Sequence, residues 1–343
     1  MDLKQLDYFV RVAELGSFTR AASVLRVAQP ALSRQVRALE VELRQPLFER
    51  NGRGVTLTEA GKRLLAHGRG ILQQVQRARH DLEEQRGAAA GLLSIGLPPS
   101  LSRTLTTPLV EAFRAQFPKA TLSVVEGLST YMLEWLMQGR IDCALVYNAT
   151  PAPAFELRPV VDEDLYLVSA RRAGGLVGKP VKLVDVAAHE LVIPSRPHAI
   201  RMRVEAALAE AGAKPRVALE VESVPAILDL VARHPLHAVL ALNALVGSAH
   251  EAALAARPIL GAGGATGRRL ATTVWLATSA QRPRGPLLEQ ALPLLKSLVE
   301  GHVGAAAKRA AAKPVVSTLV ARGRAATKRA KRANQAKGPS SRG

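Results

Sequence analysis

Apolar residues recur with helical spacing in three short stretches at the beginning of the chain, which predicts three helices. Gly16 ends the first helix, Ser17 can cap the second, and Pro30 suits the first turn of the third. Each helix then has one apolar face that can be buried against the other two. The apolar positions are Leu3, Leu6, Val10 and Ala13, then Ala21, Ala22 and Leu25, and finally Leu32, Val36, Leu39 and Leu43.

Two strand-like runs, at residues 47–50 and 55–58, follow the third helix. The residues between them read NGRG, which is typical of a hairpin turn and places the cation of Arg53 at its tip. Three helices followed by such a hairpin predict a winged helix-turn-helix over residues 1–60. The alternatives are a simple three-helix bundle and, for Arg53, a solvated turn cation.

The third helix has a second, polar face. Gln29, Ser33 and Arg37 follow one another at four-residue spacing, and Pro30 and Arg34 lie beside them. Gln and Arg side chains can form two hydrogen bonds with a base edge, Ser can bridge a base or a phosphate, and an Arg at a hairpin tip can enter the minor groove. The predicted DNA-binding residues are Gln29, Pro30, Ser33, Arg34, Arg37 and Arg53.

Residues 59 to about 86 form one long helical pattern, and the segment 61–88 is predicted to link two domains and to form a dimer. At 1.5 Å per residue this helix would be about 40 Å long, which is too long for an ordinary core helix. Apolar or small residues recur at two positions of a seven-residue repeat, as in helices that pair with a second copy. These residues are Leu64, Ile71 and Ala78 at one position, and Gly68, Val75 and Leu82 at the other.

From Gly91 onward strand-like and helical runs alternate, which predicts an α/β domain over residues 89–303. Residues 148–153 have the composition of a crossover and a late strand returns to the first set, so we expect two lobes with a cleft between them. The predicted strands are 92–97, 120–126, 142–147, 165–169, 191–193, 217–221 and 272–278, and the predicted helices are 108–117, 130–139, 199–211, 225–233 and 285–299.

The formal charge of +19 is unevenly distributed along the chain. Residues 1–90 carry +5, residues 91–303 carry +3, and residues 304–343, with 11 basic and no acidic side chains, carry +11. The last segment is therefore predicted to be a disordered basic tail that adds non-specific affinity for nucleic acid. An architectural, non-specific DNA-binding protein driven by this tail is the alternative to a sequence-specific one.

Several classes of protein are not favoured by the sequence. The single Cys143 cannot form an intramolecular disulfide, and the apolar stretch 238–247 is too short to cross a membrane. His234 and His237 have no third metal ligand nearby in the sequence. Residues 261–267 miss the dinucleotide-binding fingerprint, and 127–131 lack the closing Gly of a nucleophile elbow. We therefore expect a cytoplasmic, nucleoid-associated protein that is not an enzyme and uses no metal or cofactor.

The beginning of the chain carries a family resemblance. The stretch DLKQLDYFVRVAELGSFTRAASVLRVAQPALSRQVRALEVELRQPLFERNGRGVTLTEAG resembles the N-terminal domain of LysR-type transcriptional regulators almost position by position. The resemblance implies a winged helix-turn-helix, a long dimerisation helix and a two-lobed effector domain similar to periplasmic binding proteins. It also implies a ligand-responsive regulator that binds double-stranded promoter DNA as a homodimer or homotetramer and contacts RNA polymerase. The DNA-contact positions of the family correspond to Gln29, Pro30, Ser33, Arg34 and Arg53, whereas Arg37 is assigned from helical spacing alone.

Three later stretches, LLSIGLPPSLSRTLTTPLVEAFRAQFP, EGLSTYMLEWLMQGRIDCALVY and ELVIPSRPHAIRMRVEAALAEAG, resemble the effector domains of the family, and the last is most like regulators of nitrogen assimilation. Short hydroxyl side chains and one Arg follow predicted strand ends there, which suits a small polar or anionic effector. The alternatives are helix capping for the serines, a surface ion pair for the Arg and a structural role for the His. The predicted effector-binding residues are Ser100, Ser102, Ser129, Ser195, Arg196 and His198.

Two parts of the chain depart from the family pattern. Ala28 stands where many members have a capping Ser or Thr, which should cost the third helix about 1 kcal/mol. In the second lobe the chain reads ARHPLHAVLALNAL where the family usually has a Gly-rich turn and a strand ending in Pro. We therefore expect the wall of the cleft to differ here.

Overall fold

The computed structural model of the chain describes residues 1–51, 54–84, 91–171, 176–261 and 268–311. Arg53 and residues 312–343 of the predicted tail lie outside the described residues. The described chain consists of three short helices, a hairpin, a long helix and a two-lobed α/β domain, which confirms the predicted fold class for these parts. In the described ranges no helix is both long and apolar enough to cross a membrane.

Local sequence signals set the boundaries of the N-terminal domain. Asp2 forms a capping box with Gln5 at the start of α1, and Gly16 ends that helix with a φ of 61°. The Ser17 hydroxyl accepts a backbone hydrogen bond at the start of α2, whereas Ala28 offers no side-chain cap to α3, as predicted. The elements are α1 (Leu3–Leu15), α2 (Phe18–Leu25), α3 (Gln29–Leu43) and an antiparallel hairpin of β1 (Phe48–Asn51) and β2 (Gly54–Leu57).

The long helix α4 (Glu59–Glu84) packs its first half on α1. A methyl group at Gly68 would lie 3.0 Å from Cδ1 of Leu6 and 3.2 Å from Cγ2 of Val10, so the missing side chain lets the two helices approach. Ile71 is 39% exposed by contrast. Part of the α4 face that was predicted to pair with a second copy therefore packs on α1 of the same chain, because Gly68 faces α1.

The α/β domain alternates strands and helices as predicted, and it contains more strands than the sequence indicated. Its helices are α5 (Pro99–Gln116), α6 (Ser129–Met137), α7 (Leu183–Val186), α8 (Ala199–Glu210), α9 (Val224–Arg233) and α10 (Pro286–Ala311). Its strands are β3 (Gly91–Leu97), β4 (Ala120–Glu126), β5 (Cys143–Tyr147), β6 (Phe155–Ala170), β7 (Val181–Lys182), β8 (Glu190–Ile193), β9 (Arg216–Glu220), β10 (Ala238–Ala241), β11 (Leu254–Leu260) and β12 (Ala271–Ser279).

The long strand β6 runs through both lobes. Its residues 155–164 pair with β12, whose other neighbour is β5, and β3 and β4 continue this first lobe. Its residues 165–170 pair with β10 and β11 in the second lobe, which also holds β7 and the parallel pair β8 and β9. The chain passes into the second lobe along β6 and returns to the first lobe at β12, so two connections join the lobes. The cleft lies between the two lobes.

Three elements differ from the prediction. The strand β6 begins ten residues before its predicted start at 165, because its first part alternates exposed charged residues with half-buried ones. The helix α5 begins at Pro99 and accommodates Pro108 in its interior, where the sequence placed a helix start. Residues 304–311, assigned by the sequence to the disordered tail, extend α10, since alanine favours helix strongly.

Two glycines form a close joint between α4 and the α/β domain. A methyl group at Gly70 would lie 2.1 Å from the carbonyl oxygen of Gln138, and one at Gly139 would lie 2.2 Å from Nε2 of Gln74. Gly139 also has a φ of 72°, which favours glycine. The long helix and the turn after α6 therefore approach this closely because both positions lack a side chain.

Replacing Gly70 with alanine is expected to destabilise the protein by about 1 to 3 kcal/mol, because the Gln138 carbonyl must move. Helix propensity alone would favour alanine by roughly 1 kcal/mol, so the sign of the change is informative. Gly301→Ala in α10 is the matched control: the added methyl group would have no neighbouring atom of the described residues within 4 Å, so this variant should be slightly more stable. Urea unfolding measures both variants, and a stabilising Gly70→Ala would contradict the joint.

Candidate DNA-binding surface and effector site

The polar face of α3 and the start of the hairpin form one concave surface. Leu32, Val36 and Leu39 bury the opposite face of the helix completely, which turns the polar face outward. The structure brings five of the six predicted DNA-binding residues together on this surface, and the sixth, Arg53, lies outside the described residues. The surface is lined by Phe18, Gln29, Pro30, Ser33, Arg34, Arg37, Glu40, Pro46 and Phe48.

The beginning of α3 offers one backbone donor and one free guanidinium group to a ligand. Ala28 provides no side-chain hydrogen bond to the first turn, Pro30 has no N–H, and the Ala31 N–H donates to the Ala28 carbonyl oxygen at 3.0 Å. Within the described part of the chain, the Gln29 N–H is therefore the first-turn donor left for an external acceptor. Arg34 is exposed one turn later, and it has no ion pair or side-chain hydrogen bond within the described part of the chain. A backbone donor and a guanidinium group on one surface suit a polyanion.

Glu40 fixes the hairpin to α3, a role that the sequence did not reveal. Its Oε1 accepts hydrogen bonds from the backbone N–H groups of Leu47 (2.8 Å) and Phe48 (3.3 Å). Its other oxygen lies 3.5 Å from Nη1 of Arg37, whose side chain is 74% exposed. Arg37 is thus tethered on the concave surface while its guanidinium group remains accessible.

A small cavity lies between the two lobes, where α5, α6, α8 and α9 begin. The N-cap residues Pro98, Leu128 and His198 make no side-chain capping bond to α5, α6 and α8. The first turns of α6 and α8 therefore present N–H groups without a partner in the described residues, and the first turn of α5 presents the Ser100 N–H, since Pro99 has none and the Leu101 N–H donates to Pro98. All three helices direct the positive ends of their dipoles toward the cavity. The cavity volume is about 20 Å³, room for about one water molecule, so the lobes are closed on each other.

Three predicted effector-binding residues line this cavity. Ser100 Oγ lies 3.1 Å from the Tyr147 hydroxyl, and Ser129 Oγ accepts a hydrogen bond from the Tyr147 backbone N–H at 3.0 Å. His198 faces them from the second lobe, and burial lowers its pKa to about 4, so the imidazole is neutral. Its Nδ1 is buried and has no hydrogen-bond partner among the described residues.

The other three predicted residues do not line the cavity. Arg196 is 63% exposed, and its Nε and Nη2 donate to Oε2 of Glu205 at 3.1 and 2.8 Å, so it forms a surface ion pair and is not a pocket cation. Ser102 Oγ lies 3.4 Å from Oγ1 of Thr106, one turn further along α5. Ser195 is half-buried in the turn before α8, beside Arg196.

Behind Tyr147 lies a buried carboxyl group. The Tyr147 hydroxyl donates to Oε2 of Glu163 at 2.8 Å, and Nδ2 of Asn243 donates to the Tyr147 hydroxyl at 3.5 Å. Glu163 is 4% exposed, and burial raises its pKa to about 7, although the Tyr147 hydrogen bond opposes that shift. Oδ1 of Asn243 and Oγ1 of Thr272 are buried without partners among the described residues. A polar cluster therefore joins the two lobes behind the cavity.

Arg103 of α5 also bridges the lobes. Its Nη2 donates to the carbonyl oxygens of Asn243, Ala244 and Val246 at 2.8, 3.0 and 3.1 Å. Burial lowers the pKa of this guanidinium group, and the three carbonyl groups replace part of its hydration. The turn after β10 is thus held against α5, beside the polar cluster.

Known protein families match both parts of the chain. Residues 3–62 match the bacterial regulatory helix-turn-helix protein, lysR family. Residues 86–299, more than half of the chain, match the LysR substrate binding domain. The chain belongs to the LysR family.

Characterised LysR proteins resemble this chain over most of its length. The nitrogen assimilation regulatory protein nac of Escherichia coli (strain K12) is 36% identical over 233 residues, which cover 68% of this chain and 75% of that protein. The DNA-binding transcriptional dual regulator OxyR of the same strain is 30% identical over 232 residues, 68% of this chain and 76% of that protein. Full-length CbnR in complex with its target DNA has a TM-score of 0.65 and 28% identity, covering 89% of this chain and 100% of that one.

This LysR-type transcriptional regulator therefore consists of a helix-turn-helix domain, the linker helix α4 and a two-lobed substrate-binding domain. No group of three or more His, Cys, Asp or Glu in the described ranges is placed to hold a metal ion. The sequence patterns did not predict a role for five residues of these two sites: Glu40, Arg103, Tyr147, Glu163 and Asn243. The polar run around Glu163, DEDLY, gave no sign that one of its carboxyl groups is buried.

Proposed function

We propose that this LysR regulator reads an interrupted palindrome by placing α3 of each subunit in the major groove. Gln29, Ser33 and Arg34 would contact base edges, because they share the outward face of the helix and have the hydrogen-bonding groups for it. Pro30 would pack against the groove wall, and Arg37, held by Glu40, would bind a phosphate. The concave surface formed by these residues is the observation that carries the proposal.

The hairpin and the oligomer complete the proposed complex. Arg53, which the sequence places in the turn of the hairpin, would enter the minor groove beside the recognition helix. The recognition helices of two subunits would enter successive major grooves about 10 bp apart, so the binding unit is a homodimer or a homotetramer. A regulator bound in this way at a promoter would act through RNA polymerase and reside with the nucleoid.

Selection of bound sequences from a random DNA library with the full chain tests this proposal. The expected result is a pair of inverted half-sites with a fixed spacing, since each subunit reads one half. Enrichment of no sequence, or of A·T content alone, would contradict recognition by α3 and favour non-specific binding.

We further propose that the effector is a small polar or anionic molecule bound in the interlobe cavity. The uncapped first turns of α5, α6 and α8, together with the Ser100 and Ser129 hydroxyls, supply neutral donors for it. No Lys or Arg side chain lines the described wall, so backbone groups and hydroxyls would hold the charge. Because the closed cavity is about 20 Å³, binding requires the lobes to separate and close again.

Ser129→Ala is expected to weaken effector binding about 2- to 10-fold, the loss of one hydrogen bond. A thermal-shift screen of small organic acids on the full chain identifies the binders, and a titration of each binder measures the change. Ser102→Ala is the matched control, because Ser102 lies on α5 outside the cavity wall. Arg196→Ala should also leave the affinity unchanged, and its loss of binding would contradict the placement of Arg196 on the surface.

A further inference from the structure

A second groove lies between the DNA-binding domain and the effector domain, away from the interlobe cavity. It is bordered by α1, by α4 and by the edge of the sheet at β3 and β4. Its charged residues carry a net charge of +3. They are the basic Lys4, Arg11, Arg69, Arg79 and Arg140, and the acidic Asp7 and Glu14.

The two acidic residues of the groove are engaged by cations on α1 and α4. Oε1 of Glu14 lies 3.1 Å from Nε of Arg69, and its Oε2 lies 3.7 Å from Nη1 of Arg11. Asp7 lies 3.7 Å from the same Arg11. Neither carboxylate is paired with Arg140.

Arg140 is the cation that the effector domain contributes to this groove. It is half-buried, with its guanidinium carbon 4.8 Å from the centre of the Trp135 ring, and its side chain has no ion pair or hydrogen bond within the described part of the chain. Burial lowers its pKa, and the positive charge of nearby Arg69 lowers it further. The guanidinium groups of Arg69 and Arg140 therefore share this groove, and of these two only Arg69 has a carboxylate partner in the described residues.

Hydroxyl groups lie in the same groove. Nε2 of Gln73 donates to Oγ of Ser94 at 3.1 Å, which leaves the Ser94 hydroxyl proton free to donate. Ser123 on β4 is half-buried and lines the groove as well. Guanidinium groups combined with hydroxyl donors suit an oxyanion with several acceptor oxygens.

We propose that this groove binds a small dianion, such as phosphate, sulfate or a short dicarboxylate, between Arg69 of α4 and Arg140 of the effector domain. The anion would neutralise the repulsion between the two guanidinium groups. It would also bridge the linker helix and the effector domain close to the Gly70 joint, so its binding would stiffen the connection between them. This site is separate from the interlobe cavity and does not depend on the effector proposed there.

The fluorescence of Trp135 provides a direct test. The chain has two tryptophans, so Trp275→Phe leaves Trp135, under Arg140, as the single reporter in the full-length protein. Phosphate, sulfate and succinate are titrated separately against chloride at matched ionic strength. The expected result is a saturable change in Trp135 emission with at least one dianion and none with chloride.

Variants of the two arginines decide the assignment. Arg69→Gln keeps the contact between Arg140 and Trp135 and should weaken dianion binding at least tenfold, and Arg140→Gln should do the same in a thermal-shift titration. Arg114→Gln removes an equal charge from α5, outside the groove, and should leave the affinity unchanged. No saturable change with any dianion, or equal affinities in the Arg69→Gln and Arg114→Gln proteins, would overturn the proposal.

Discussion

Replacing Arg34 with alanine is expected to reduce affinity for the specific DNA site by about 1 to 3 kcal/mol, roughly 5- to 150-fold. Arg34 is exposed on the concave surface and is free of intramolecular ion pairs in the described residues, so its guanidinium group need not break a contact to bind a base. Affinity for a scrambled sequence should fall much less, because a base contact carries the sequence information. Fluorescence anisotropy with both DNAs measures the two affinities.

A matched variant separates recognition from net charge. Arg114→Ala removes the same charge from an exposed position of α5, far along the chain from α3. It should change both affinities equally and slightly. If Arg34→Ala and Arg114→Ala had the same effect on the ratio of specific to non-specific affinity, the assignment of Arg34 to a base contact would be wrong.

Glu163→Gln is expected to stabilise the effector domain relative to the native protein as the pH rises. Burial raises the Glu163 pKa from 4.5 to about 7, so the folded state binds this proton more tightly than the unfolded state. The native protein therefore loses stability between about pH 4.5 and pH 7, whereas the glutamine variant does not. The advantage of the variant should grow by about 2 to 3 kcal/mol between pH 5 and pH 8.

Urea unfolding followed by tryptophan fluorescence at pH 5 and pH 8 measures this difference. Glutamine keeps the shape of the protonated acid and can still accept the hydrogen bond from the Tyr147 hydroxyl. Glu210→Gln on the exposed face of α8 is the control and should show the same difference at both pH values. If the difference in unfolding free energy between Glu163→Gln and the native protein were the same at pH 5 and pH 8, burial would not raise the pKa of Glu163.

The DNA-binding domain could be predicted residue by residue because its signals are local. Gly16, Ser17 and Pro30 set helix boundaries through their own backbone preferences, and the structure follows them. The outward face of α3 then follows from helical periodicity, since Leu32, Val36 and Leu39 must point inward. Glu40 was missed because its partners are backbone N–H groups of the hairpin, which no side-chain pattern reveals.

The lining of the interlobe cavity could be predicted only in part, because it is built from residues that are distant in sequence. The sequence places Ser100 and Ser129 at the cavity because each follows a strand end, where parallel strands bring side chains to one edge. The contact between Asn243 and Tyr147 spans 96 residues and exists only once the two lobes meet. Arg196 also follows a strand, but Glu205, nine residues later on α8, holds it at the surface.

The basic tail holds much of the net positive charge, but it does not account for DNA recognition. Residues 312–343 carry nine basic and no acidic side chains, yet the family match and the concave surface both lie in the DNA-binding domain. An architectural protein driven by the tail is therefore not favoured. The tail is expected to add non-specific affinity and salt dependence to a sequence-specific regulator.

The most direct test of sequence recognition by α3 compares the full chain with a chain ending at Ala311, on the selected palindrome and on a scrambled duplex over a range of salt concentrations. Removing the nine basic side chains beyond Ala311 should lower non-specific affinity and flatten the salt dependence. The shortened protein should still prefer the palindrome by about 1,000-fold or more. Equal affinity of the shortened protein for both duplexes would contradict recognition by α3.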